Sequence, residues 1–99
     1  MALKIIWSPL AQKKRKEILG YWVLHNNSNK FSIKLDSLFI AALNLISRYP
    51  LIGKPTDIEN VRVKIVRDYL IFYYVGKTTV KVLTIWDSRQ NPEDLKIKM

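Results

Sequence analysis

VRVKIVRDYLIFYYVGKTTVKVLTIWDSRQN, residues 61–91, decides the fold. The stretch is dense in Val, Ile, Tyr, Phe and Thr, which suit a pleated, half-buried surface. Arg67-Asp68 divides VRVKIV from YLIFYYV, and Gly76-Lys77 divides YLIFYYV from TTVKVLTIW. Interruptions this short join antiparallel neighbours, so the spacing predicts a three-stranded meander. A period of two puts Val61, Val63 and Ile65 on one face of the first strand and Arg62 and Lys64 on the other. In YLIFYYV, Tyr69, Ile71, Tyr73 and Val75 oppose Leu70, Phe72 and Tyr74, so both sides are apolar or aromatic, as in a central strand. The upstream residues are expected to cover one face of this sheet. Arg62 and Lys64 are then expected on the other, near a last strand ending in Asp87, Ser88, Arg89 and Gln90.

Upstream, Leu3 to Trp7 is a short apolar run that reads as a first strand. Ser8 fits an N-cap and Pro9 the first helical position, where a missing N–H costs nothing. The helix they start is predicted to reach about His25, with Leu10, Ala11, Ile18, Leu19 and Trp22 as its apolar positions. Lys13, Lys14, Arg15 and Lys16 form a basic run within it that reads as a solvated face. HNNSNK, residues 25–30, is a turn by composition, with Ser28 or Asn29 available to cap a second helix. Phe31, Leu35, Leu38, Ala42 and Leu45 recur at three- and four-residue steps in that helix, which must end before Pro50. YPLIGKPTDIEN, residues 49–60, holds two prolines and a glycine and reads as a loop. Beyond the meander, Asn91-Pro92 closes the last strand and leaves PEDLKIKM as a short tail. The order is β–α–α–β–β–β in one α+β domain, a helical hairpin packed on one face of a small antiparallel-rich sheet.

Ninety-nine residues suffice for one core. Seventeen Lys and Arg against eight Asp and Glu leave a charge of +9, which favours nucleic acid, ribosome, an anionic membrane or an acidic protein as partner. The chain has no cysteine, hence no disulfide framework and no thiolate chemistry. MALKIIWSPL lacks the apolar core of a signal peptide, and no apolar run nears the ~18 residues of a membrane span, so a soluble cytoplasmic protein is expected. One histidine, His25, makes neither a metal site nor a catalytic triad, and three scattered glycines make no phosphate loop. Neither metal nor cofactor is expected. What remains is a set of Arg, Lys, Tyr and one Asp on or beside the sheet. RNA carries its own 2′-hydroxyl nucleophile, so cleaving it needs cations for the developing charge and some proton acceptor, a part open to Asp87.

WSPLAQ after the first strand, RYPLIGKP after the second helix, Arg62 followed by RDYLIFYYV, and VKVLTIWDSRQNPEDL at the end together resemble the RelE/ParE superfamily. These are toxins of type II toxin–antitoxin pairs. The resemblance implies growth arrest, a cognate antitoxin as partner in a hetero-oligomer, and one of two mechanisms. RelE-like members cut mRNA in the ribosomal A site, whereas ParE-like members inhibit DNA gyrase. Ribosome-dependent mRNA cleavage is the first expectation and gyrase inhibition without nuclease activity the alternative. For cleavage, Arg62, Asp87 and Arg89 are the expected catalytic set. Lys54, Lys64, Arg67 and Gln90 are expected to contact RNA.

Overall fold

The computed structural model describes residues 2–90. Its elements are β1 (Lys4–Trp7), α1 (Pro9–Asn26), α2 (Lys30–Arg48), β2 (Lys54–Pro55), β3 (Val61–Val66), β4 (Tyr69–Val75) and β5 (Thr79–Asp87). The two helices pack on one face of a five-stranded mixed sheet of order β1-β5-β4-β3-β2. The meander forms as predicted, with β3, β4 and β5 antiparallel. β1 joins it in parallel beside β5, pairing Lys4 with Thr79 through Trp7 with Val82. The stretch read as a plain loop contains β2, whose Lys54 and Pro55 pair with Val63 and Arg62. Two residues, one of them proline, leave no periodic signal, and proline is tolerated there because β2 is an edge strand. The tail at 91–99 lies outside the described residues.

Ser8 turns the chain from strand into helix. Its side chain accepts from the Ala11 amide at 3.0 Å and donates to the Leu83 carbonyl at 2.8 Å, while its own amide donates to the Val82 carbonyl. Leu83 is the extra residue of a β-bulge: Phe72 pairs with Thr84 and the next residue, Tyr73, with Val82. A bulge leaves a backbone group off the ladder, and the capping serine takes it up. α1 ends on Asn27, whose φ of 50° is the left-handed turn common at helix ends. Arg15 ties the two helices together through both oxygens of Asp36, at 2.7 and 2.8 Å, and its guanidinium lies over the Trp7 ring.

Leu35, Phe39, Leu43 and Ile46 of α2 form the main core with Ile71, Tyr73, Val80, Val82 and Ile85 of the sheet. Cross-strand partners share a face, and Arg62 pairs with Tyr73 and Lys64 with Ile71. Both cations therefore stand on the helix-bearing side of the sheet, not on the opposite side as expected. Alternation tells which residues share a face but not which face is covered. On the side away from the helices, Val61, Phe72, Leu83 and Trp86 make a second buried apolar cluster, joined by Val63, Leu70 and Tyr74.

Candidate functional site

The residues expected to act together fall into two groups at opposite ends of the sheet. Arg62 is opposite Tyr73 and Asp87 is opposite Tyr69. Four residues along β4 and two strand spacings across it separate them by roughly 16 Å between Cα atoms. Lys54 stands near Arg62 on the edge strand, and Lys64 lies midway along β3. Arg67 sits at the tip of the β3–β4 hairpin, at the end that holds Asp87, Arg89 and Gln90.

At the first end, Arg62 is tied into a loop. Its Nη1 donates to the Gly53 carbonyl at 2.7 Å and the Leu51 carbonyl at 3.2 Å. Beside it the fully buried Tyr73 hydroxyl donates to the Pro50 carbonyl and accepts from the Gly53 amide, at 2.7 and 3.0 Å. Burial pushes the Tyr73 phenol up from its ordinary pKa, which keeps it a neutral donor. These four bonds fix residues 50–53 against the sheet.

At the second end, Asp87 and Arg89 engage each other. The guanidinium donates to both carboxylate oxygens, at 3.0 and 2.8 Å, and the Arg89 amide donates to one of them as well. Arg89 holds the Asp87 carboxyl below its ordinary pKa. The Arg89 guanidinium also lies 5.9 Å from the Trp22 ring centroid. Trp22 donates its indole N–H to the Tyr69 hydroxyl at 2.7 Å, and burial raises the Tyr69 phenol above its usual pKa. Between α1 and the end of β5 lies an open cleft of about 360 Å³, lined by Lys14, Tyr21, Tyr69, Asp87, Arg89 and Gln90 among others. Such a wall offers cations and aromatic faces to an anionic or planar group.

The sequence model of the ParE toxin of type II toxin–antitoxin systems, parDE, matches residues 5–92. This chain belongs to the ParE toxin family. Among solved structures, a chain of the chromosomal ParDE toxin–antitoxin system from P. aeruginosa superposes with a TM-score of 0.72 at 14% identity. The alignment covers 85% of this chain and 94% of that one, and at that identity it shows the shared fold. No curated protein matches the sequence. As a ParE-family toxin of a type II system, the protein has a cognate antitoxin for partner. No described helix of this toxin is long and apolar enough to cross a membrane.

Lys14, Tyr21, Trp22 and Tyr69 escaped the sequence reading of the second end. Lys14 lies in a basic run that reads as a solvated face, and Trp22 reads as an apolar position of the helix. Lys14, Ile18 and Tyr21 do fall at helical spacing on a single stripe, which was the available signal. Nothing local reported that this ParE-family stripe faces β5.

Proposed function

We propose that this toxin arrests growth as a ParE-type inhibitor of DNA gyrase, binding the enzyme without cutting nucleic acid. The family match over residues 5–92 carries the reading, since ParE-like members of the superfamily act on gyrase. The geometry supports it from a second direction. A ribosome-dependent cleavage built on Arg62, Asp87 and Arg89 needs those groups around one scissile phosphate, and reacting groups must sit within about 3 Å of their targets. Arg62 instead serves loop carbonyls at the far end of the sheet. Asp87 has both oxygens occupied, and its depressed pKa makes it a weak proton acceptor. The basic side chains then serve gyrase, the DNA held by gyrase, or the antitoxin. Target and antitoxin place the site of action in the cytoplasm.

One experiment separates the two mechanisms. The purified toxin is added to a gyrase supercoiling assay and, in parallel, to a purified translation system read by primer extension on the mRNA. Blocked supercoiling with intact mRNA is the expected result. New ribosome-dependent cuts with unimpaired supercoiling overturn it, and would direct attention to the cleft at Tyr69, Asp87, Arg89 and Gln90 as an RNA site.

A further inference from the structure

Tyr49, Leu51 and Ile52 project from the loop after α2 with 59%, 65% and 41% of their surface exposed. Single exposed apolar residues are ordinary, but three around one proline at a loop tip form a patch, and patches mark contact surfaces. This tip is also held rigid. Buried Tyr73 and the guanidinium of Arg62 bond the carbonyls of Pro50, Leu51 and Gly53 and the amide of Gly53. A side chain on Gly53 would sit 2.5 Å from the Tyr73 hydroxyl, so the loop closes onto the tyrosine only because that residue is glycine. A fold that commits a buried tyrosine and an arginine to a solvent-facing apolar tip has ordered it in advance of binding. Pre-ordering lowers the entropy lost on association.

Behind Leu51 the surface dips into a cleft of about 250 Å³. Leu51, Ile58, Val61, Arg62 and Val75 are among the residues that line it. Its size suits one large apolar side chain. Arg62 uses Nη1 for the loop, and among the described residues its Nε and Nη2 make no hydrogen bond. Along residues 48–62 the cations Arg48, Lys54 and Arg62 outnumber the carboxylates Asp57 and Glu59, of which Glu59 lines the cleft. The local charge is therefore positive, on a protein of +9, and complementarity favours an acidic partner.

We propose that the Tyr49–Ile52 tip and the cleft beside it form the anchor for the cognate antitoxin, which places one apolar side chain in the cleft and a neighbouring carboxylate on Arg62. The patch is smaller than the roughly 800 Å² per partner of a stable interface, so it serves as a hot spot within a larger contact. The assignment stands apart from the identity of the toxin's target, since it concerns only neutralisation.

The test replaces the exposed tip, Leu51→Ser with Ile52→Ser, and measures binding of the purified antitoxin encoded by the adjacent reading frame, using titration calorimetry. Leu24→Ser, on α1 at 80% exposure, is the comparison variant. Thermal unfolding of both variants is recorded first, and both are expected to melt close to the parent because the replaced side chains lie outside both buried apolar clusters. The tip variant is expected to bind antitoxin more than tenfold more weakly while still blocking supercoiling, so that co-expressed antitoxin no longer rescues growth. Leu24→Ser is expected to bind like the parent. Unchanged antitoxin affinity in a folded tip variant overturns the proposal, whatever happens to supercoiling. If supercoiling inhibition is lost with antitoxin binding intact, the tip belongs to the target interface instead. A parent toxin that never inhibits gyrase but loses antitoxin affinity on tip replacement would reject the gyrase reading and leave this one standing.

Discussion

Asp87 gives both carboxylate oxygens to Arg89, and this pairing makes its contribution to stability depend on pH in a definite direction. The hydrogen bond from Arg89 is the largest cause of its lowered pKa, ahead of the opposing effect of burial. A carboxylate whose pKa is lower folded than unfolded stabilises the fold above its unfolded value of about 4 and loses that contribution as pH falls through the folded value. Asp87→Asn has no such titration. Urea midpoints taken between pH 7 and pH 2 should fall less steeply on the acid side for the variant than for the parent. Parallel curves would mean the pair adds nothing to the folded state. A second residue carries backbone strain. Arg67 opens the two-residue β3–β4 turn with φ of 57°, a conformation that costs an L-residue other than glycine roughly 1–2 kcal/mol. Arg67→Gly should raise unfolding stability by about 1 kcal/mol in denaturant titration, after the entropy of the added glycine is set against the relieved strain. If the Arg67 guanidinium also meets an anionic target, that gain in stability will come with a loss of toxicity.

Tyr73 works for a whole element, the loop between α2 and β3. Tyr73→Phe keeps the ring in the core and removes the bonds to the Gly53 amide and the Pro50 carbonyl. Stranding those groups is expected to cost about 2 kcal/mol. Hydrogen exchange at the Gly53 amide should quicken by a larger factor than at amides of β4. Equal acceleration at both would mean the loss is global. Gly53→Ala should damage the same element by another route, since the added methyl would meet the Tyr73 hydroxyl at 2.5 Å and the Val63 carbonyl at 2.8 Å. The sequence made much of this element pattern legible. Ser8-Pro9 marked the start of α1, the Phe31–Leu45 stripe marked α2, and the breaks at Arg67-Asp68 and Gly76-Lys77 marked the meander. Those signals are local, carried by residues a turn or a pleat apart. The features that escaped are made by distant partners: Trp22 bonds Tyr69 across 47 positions, Tyr73 bonds Gly53 across 20, and β2 exists only because β3 is there to pair with it. Arg62 shows the same limit at one residue. Its charge and position suggested an anion site, and only the folded loop revealed two carbonyls already in reach.

At the scale of the whole molecule, three of the five arginines are tied into the fold by their side chains. Arg15, Arg62 and Arg89 are engaged within the fold, by Asp36, by loop carbonyls and by Asp87. The planar fork of a guanidinium suits such fixed, multiple contacts, whereas a lysine is a mobile, hydrated point charge. Exposed Lys13, Lys16, Lys54 and Lys77, on α1, β2 and the β4–β5 turn, are distributed over the surface and gather at no single site. The excess of +9 thus acts mainly as a long-range field. Fields of this kind speed the encounter with an oppositely charged partner and are screened beyond about 10 Å at 0.1 M salt, while short-range apolar contacts decide how long the complex lasts. If the antitoxin is acidic where it meets the toxin and anchors on the tip at Leu51, the two rate constants should respond to different changes. Raising the salt from about 0.05 to 0.5 M should slow association at least tenfold and leave dissociation nearly unchanged. Replacing Leu51 and Ile52 should do the reverse, speeding dissociation while association holds. Stopped-flow mixing of toxin and antitoxin reads both constants. An association rate indifferent to salt would mean that the surface lysines do not steer this encounter, and their field would then have to act on the nucleic acid at the toxin's target.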